Sequence, residues 1–220
     1  MHIFDIIGPI MIGPSSSHTA GAARIGKVCR DILGQKAVRA DIGLAGSFAL
    51  TYKGHGTDKA LIAGILGMLP DDERIRDSLK LAKKAGLEYS FSEVKLGRVH
   101  PNTVRVHLVG DRKAECTVQG ASVGGGNILI SRLNGIDTEF SGQQDTLIIP
   151  HRDVPGTIAH VTALVADSGI NIGNFRLNRP DKGYQAVMTI EVDGEVDDEL
   201  VRELKELPNI INVVHLRAAM

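Results

Sequence analysis

Cysteine is almost missing from this chain, tryptophan is absent altogether, and the charges nearly cancel. Cys29 and Cys116 stand far apart, and neither belongs to a CxxC pair, so the chain alone does not ligate zinc or an iron–sulfur cluster through thiolates. With 25 basic against 26 acidic residues and only 4% aromatics there is no basic excess, which argues against a nucleic-acid partner. No apolar run approaches the roughly 20 residues of a membrane span. The N-terminus lacks a charged region followed by a cleavable apolar one, so a cytoplasmic protein without a membrane partner is expected. A length of 220 residues with 43% hydrophobic side chains suits one large domain or two smaller ones with packed cores.

Hydroxyls and glycines are plentiful where charge is not. Gly13-Pro14-Ser15-Ser16-Ser17-His18-Thr19-Ala20-Gly21 places five hydrogen-bonding side chains between a rigid Gly-Pro corner and an amphipathic helix over about 20–33. Ala22, Ile25, Cys29, Ile32 and Leu33 form its apolar face, where Cys29 reads as a buried thiol. One Ser or Thr here is a helix cap, and free N–H groups at such an end attract anions. Three serines and a histidine exceed what a cap needs, and that surplus points to chemistry. Gly21 to Lys27 matches the first seven positions of a phosphate-binding loop, but Val28 stands where a hydroxyl is required and the match lies within the helix, which excludes a nucleotide site.

Further along, the pattern predicts strands over His2–Ile7 and Val38–Leu44, then a mixed apolar run from Ala45 to Tyr52. A polar turn, Lys53 to Asp58, leads into a helix over about 58–68 with Thr57 as N-cap. Pro70-Asp71-Asp72 opens another helix to about Ala85, with Gly86 at its C-terminal cap. Strands follow over Glu88–Val94, Thr103–Val109, Glu115–Val123 and, past Gly124-Gly125-Gly126, Asn127–Leu133. Ser141 to Asp145 is polar and aperiodic, the best candidate boundary. Beyond it come strand Thr146–Pro150, helix Pro155–Ser168, strands Ile170–Leu177 and Tyr184–Val192, helix Asp197–Leu207 and strand Ile210–Leu216. Pro155 near the helix start and Gly169 past its end fit the usual asymmetry. The fold class is α+β: a mixed α/β domain over 1–143, then a ferredoxin-like βαββαβ unit over 146–220.

Asp153-Val154-Pro155-Gly156-Thr157-Ile158, followed by Gly169-Ile170-Asn171-Ile172, resembles an ACT domain, a small regulatory amino-acid-binding module. The resemblance implies pairing between ACT copies and an effector held where the first strand–helix loop of one copy meets its neighbour. Carried over, the effector-binding residues are His151, Asp153, Pro155, Gly156, Asn171 and Ile172, with His151, Asp153 and Asn171 at positions that contact serine in serine-binding ACT domains. Those domains usually carry an amide where this chain has Asp153. Capping and surface polarity are the alternative account of His151 and Asp153.

The loop Gly13–Gly21, Gly54-His55-Gly56-Thr57-Asp58, His100-Pro101-Asn102-Thr103 and Ser122-Val123-Gly124-Gly125-Gly126, in that order before an ACT domain, resemble iron–sulfur L-serine dehydratases, in particular the β subunit of the two-chain form. The first domain is also similar to the intervening, effector-binding domain of some phosphoglycerate dehydrogenases. The resemblance implies deamination of L-serine to pyruvate and ammonia, and a [4Fe–4S] cluster ligated by a partner α subunit in a heterodimer, with no metal ligand from this chain. It places His55 and Thr57 beside the substrate, with the Thr as the base, and gives Ser16, Ser17, His18 and Thr19 the substrate carboxylate or the wall facing the cluster. His100 and Asn102 are weaker candidates, since His-Pro-Asn is also an ordinary turn. Two other readings stay open: a non-catalytic serine-binding regulatory module, and a phosphate-binding domain built on the signature loop and Gly124–Gly126.

Overall fold

A computed structural model describes residues 11–180 and 183–218, and the chain divides into two compact units, one through Asn134 and one from Gly135. The strand expected over His2–Ile7 lies outside the described residues. Ser141–Asp145, expected as the boundary, runs from the end of one strand into the next, while the compact units divide seven residues before Ser141.

In the first unit Ser16–Gly21 forms a π-helical segment continuous with α1 (Ala22–Leu33). Then come β1 (Ala37–Leu44), α2 (Gly46–Thr51), α3 (Thr57–Ile65), a 3₁₀ turn (Glu73–Asp77), α4 (Ser78–Lys84) and β2 (Glu88–Glu93). The hairpin-linked β3 (Thr103–Gly110), β4 (Glu115–Gly124) and β5 (Asn127–Leu133) complete it. The strands run in the order β2-β1-β3-β4-β5, with β1 parallel to β2 and antiparallel to β3. Ala40, Ile42, Leu44, Val104, Val106 and Leu108 alternate onto the buried face, and the charges Arg39, Asp41 and Arg105 take the other, as a mixed sheet covered on one side requires.

Several expectations are corrected here. The apolar run 45–52 contains α2, a short helix whose fully buried side chain is Phe48. The helix expected over 70–85 splits at Ser78, whose hydroxyl donates to the Lys59 carbonyl at 2.7 Å and docks α4 onto α3. Thr57 is not an N-cap: Gly56 holds that position in the left-handed region, and Thr57 is already helical.

The helix pair α1–α3 sets this unit's geometry. A Cβ on Gly26 would meet the Leu61 carbonyl, and one on Gly64 would meet the Ala23 carbonyl, so the backbones touch at their crossing. Such contact leaves no room for side chains and fixes both helices against the sheet.

In the second unit β6 (Ile136–Phe140), not foreseen, precedes β7 (Asp145–Arg152), α5 (Thr157–Asp167), β8 (Asn171–Asn178), β9 (Gln185–Asp193), α6 (Asp198–Glu206) and β10 (Val214–Leu216). The sheet order β10-β7-β9-β8, all antiparallel, is the ferredoxin-like arrangement expected. Leu147, Ile149, Met188, Ile190, Val161, Val165, Leu200 and Leu204 make its core. Pro155 stands outside α5, whose N-cap is Gly156. Asp145 ties the ends of the unit together: its carboxylate accepts from the Val196 and Ala218 amides and meets His215 Nε2 at 2.8 Å. Burial works against the charge on Asp145, but those two amides and the His215 ring outweigh it and hold the carboxyl below its usual range.

Gly64→Ala should cost about 1–3 kcal/mol or abolish folding, because its Cβ would meet the α1 backbone at Ala23, Gly26 and Lys27. Urea unfolding of the variant checks this, and unchanged stability would contradict the backbone contact.

Candidate functional site

The four sequence motifs of the first unit come together around the π-helical segment. Its N-cap, Ser15, accepts from the His18 amide at 3.2 Å and lies 3.3 Å from His18 Nδ1. The other ring nitrogen, Nε2, sits 3.1 Å from Thr51 Oγ1 and 3.4 Å from Ser47 Oγ, both on α2. Phe48 closes edge-on against the same ring, with centroids 5.2 Å apart. His18 is thereby buried and fixed from three sides. Across from it stands His55, exposed, its ring perpendicular to His18 at 4.6 Å between centroids. Burial, with His55 alongside, lowers the pKa of His18.

The remaining motifs close the back of the site. Gly21 lies so near Ser122 that a Cβ would strike the Ser122 hydroxyl. Asn102 donates from Nδ2 to the Ser122 carbonyl at 3.4 Å, and the Ser122 amide donates to the Asn102 carbonyl at 3.1 Å. Arg24, one turn into α1, donates from Nη1 to the Gly126 carbonyl at 2.9 Å, clamping the glycine turn. The exposed His100 accepts from the Asn102 amide at 3.1 Å, the local bond of an ordinary turn, so the structure brings this motif to Ser122 through Asn102.

Four buried atoms here have no hydrogen-bond partner among the described residues: Thr19 Oγ1, Thr57 Oγ1, Ser122 Oγ and Arg24 Nε. Each such group costs about 1–3 kcal/mol unless something completes it, so four in one region call for an explanation. Ser16 and Ser17 are half-buried. Among the described residues no three His, Cys, Asp or Glu side chains gather as a metal site. Both cysteines are core residues; burial pushes the Cys116 thiol up to about 12, and that of Cys29 well above its ordinary value.

Sequence reasoning missed Ser47, Thr51 and Arg24. The two hydroxyls stand four residues apart in the apolar run 45–52, a one-turn spacing that would have shown them on one side of a helix.

In the second unit the expected effector residues do not converge. His151, buried, holds the Ile149 carbonyl through Nδ1 at 3.0 Å, and Asp153, Pro155 and Gly156 follow in the β7–α5 loop. Asn171 and Ile172 begin β8. Arg152 pairs with Gln185 and Asn171 with Asp193 on the same strand β9, a separation of about 26 Å at roughly 3.3 Å per residue. Asn171 donates to Asp193 at 2.7 Å, and Ile172 packs on the core.

Residues 2–132 match the serine dehydratase beta chain family, and residues 146–209 match the ACT domain. The chain is 47% identical to a probable L-serine dehydratase beta chain of Bacillus subtilis over 97% of each chain. It is 41% identical to an L-serine dehydratase beta chain of Peptoniphilus asaccharolyticus, over 90% of this chain and 89% of that one. This chain belongs to the serine dehydratase beta-chain family. A D-3-phosphoglycerate dehydrogenase of Bacillus subtilis shares 28% identity over 70% of this chain and 30% of its own length, in keeping with the α+β, two-module fold. Among the described residues no helix is long and apolar enough to cross a membrane.

His18 also yields a pH dependence. Its folded pKa lies below the ordinary 6.5, so the unfolded chain binds the proton more readily. Stability contributed by neutral His18 is complete above about pH 6.5 and is lost as pH falls from there through the folded value. Thermal unfolding between pH 5 and 7 should show this slope, and His18→Gln should flatten it.

Proposed function

We propose that this chain is the β subunit of a two-chain L-serine ammonia-lyase, inactive alone, which completes its active site over a [4Fe–4S] cluster held by the cysteines of a partner α subunit. The carrying observation is the exposed His55 ring set against the buried, fixed ring of His18 where four separate motifs meet. The residues of this chain do not fit the cluster: its thiols are enclosed and protonated, and no ligand set gathers among the described residues. Its contribution is to bind, orient and move a proton.

L-Serine loses its Cα proton and then its hydroxyl, and the resulting enamine tautomerises to an imine that water hydrolyses to pyruvate and ammonia. The Cα proton is weakly acidic, so a positioned base is worth roughly 10²–10⁴-fold. Thr57 fits that role poorly, because its oxygen is fully buried and an alkoxide there would be a desolvated charge. His55 fits better. It faces outward, and its neighbour His18 is kept neutral, so a proton arriving on His55 meets no second cation. Ser16 and Ser17, half-buried at the start of the π-helical segment, hold the substrate carboxylate, and Thr19, whose hydroxyl is enclosed, belongs to the wall behind them. Thr57 and Ser122 supply the unpartnered hydroxyls that the completed site engages.

The ACT unit senses an amino acid, L-serine in the first instance. Because the β7–α5 loop and Asn171 lie at opposite ends of one sheet, the site is completed by pairing the loop of one copy with the β8 start of another. This gives the self-association of ACT units a purpose.

Anaerobic purification of the tagged chain from its own cells should bring down an iron-bearing partner and pyruvate-forming activity, while the recombinant chain alone is inert. A lone chain that binds serine with no partner and no iron would support the regulatory-module reading instead. In the reconstituted complex His55→Gln should lower kcat by about 10²–10⁴-fold with assembly intact. Near-normal turnover would remove His55 from proton transfer. Asn171→Ala should weaken the serine response by a coupling of about 1–3 kcal/mol, read from activity against serine concentration; an unchanged response would place the effector elsewhere.

A further inference from the structure

His18 meets a hydroxyl at each ring nitrogen, and the hydrogens those hydroxyls have to give assign the proton on the ring. A neutral imidazole carries one N–H and one lone pair, and its hydrogen-bond partners decide which nitrogen has which. Thr51 has a single hydroxyl hydrogen. It goes to the Ser47 carbonyl at 2.8 Å, an oxygen that can only accept. Toward His18 Nε2, at 3.1 Å, Thr51 Oγ1 is left with lone pairs, so Nε2 supplies the hydrogen.

The other side of the ring agrees. Ser15 Oγ accepts from the His18 amide at 3.2 Å, and its own hydrogen has Nδ1 as acceptor at 3.3 Å. A flipped ring would set two N–H donors on Ser15 and turn the Nε2 lone pair onto the lone pairs of Thr51. Burial, with His55 alongside, disfavours a second proton, so the ring keeps this one neutral form. Ser47 does not fix it. Its Oγ lies 3.4 Å from Nε2, and among the described residues no carbonyl takes its hydrogen, so it serves an N–H or a lone pair equally. The bond back to Ser47 within α2 is what makes Thr51 an acceptor only.

We propose that Thr51 is a positioning residue that locks His18 as the Nε2–H tautomer. The lock keeps the Nδ1 lone pair on Ser15, whose hydroxyl caps the π-helical segment that carries Ser16 and Ser17. It also keeps a neutral ring of fixed polarity against His55, 4.6 Å away between centroids. Without the lock, the cap and the ring presented to His55 both change with the place of one proton. For turnover the inference rests on the reading of this chain as an ammonia-lyase subunit; the tautomer does not depend on it.

The test reads the imidazole nitrogen signals of the full, ¹⁵N-labelled chain at a pH where the ring is neutral. A protonated and a bare ring nitrogen are well separated in shift, and His18→Gln identifies the His18 pair. In the wild type Nε2 should be protonated and Nδ1 bare. Thr51→Val, which keeps the shape and removes the acceptor, should mix or reverse the two. Thr51→Ser should restore the wild-type pattern, and Ser47→Ala should leave it unchanged. Thr51→Ala replaces the valine variant if that chain loses its fold. In the reconstituted complex Thr51→Val should lower kcat at least about tenfold with little change in KM, and Thr51→Ser should recover most of it. A wild type protonated on Nδ1, or a Thr51→Val chain with the wild-type pattern, would overturn the lock. Mixed tautomers with kcat equal to wild type would overturn the positioning role. A wild-type chain that forms no active complex defeats the enzyme reading instead, and the ring signals still decide the lock.

Discussion

Backbone contact between α1 and α3 is the constraint on which the first unit depends. Gly26 lies eight residues beyond His18, and Gly64 lies nine beyond His55. With the crossing fixed at those glycines, nearly equal offsets bring the two histidines to one end of the helix pair, where their rings meet. A side chain at either glycine would separate the helices and with them the rings. Gly21 repeats the device against Ser122, so α1 is held closely by a helix on one side and a strand on the other. The small residues of α1 are therefore as much a part of the site as its hydroxyls, although none of them touches a ligand.

Polar groups at this junction are arranged in two layers. His18 is satisfied on both ring nitrogens and held by burial in its neutral form, while His55 stands outside it. Behind them lie hydroxyls that find no hydrogen-bond partner among the described residues. A self-sufficient protein seldom leaves several such groups buried, since each is a cost without return. On the function proposed above, the arrangement is that of half a site, whose missing partners would arrive with substrate and with another chain.

Much of the fold was legible in the sequence. The alternation of Val104, Val106 and Leu108, the apolar stripe of α1 and the order of the second unit from β7 onward follow from periodicity, because long elements repeat their signal. The parts that were not legible are short or depend on distant contacts. α2 is too brief to show a period, and β6, with Ile136, Thr138 and Phe140 alternating with charges, is only five residues long. Thr57 has a capping residue's chemistry but not its place, because Gly56 adopts a backbone that a threonine rarely takes. The motifs of the site could be read one by one. Their meeting could not, since it is produced by the helix crossing. Likewise Asn171 has the right neighbours in sequence for an effector site, yet the strand register sends it to the far end of the sheet.

The bond network of Asp145 bears on how the chain is made. β7 opens the four-stranded sheet, yet its first residue is held by Ala218 and His215, and its outer neighbour is β10. During synthesis the first unit and most of the second leave the ribosome before those partners exist. Until residues 214–218 emerge, β7 presents an open edge and Asp145 an unanswered charge. The second unit therefore completes its sheet only after translation has passed Ala218, whereas every strand of the first unit's sheet is available some eighty residues earlier. The nascent chain thus carries a first unit whose strands are all made while the sheet of the second is still unfinished.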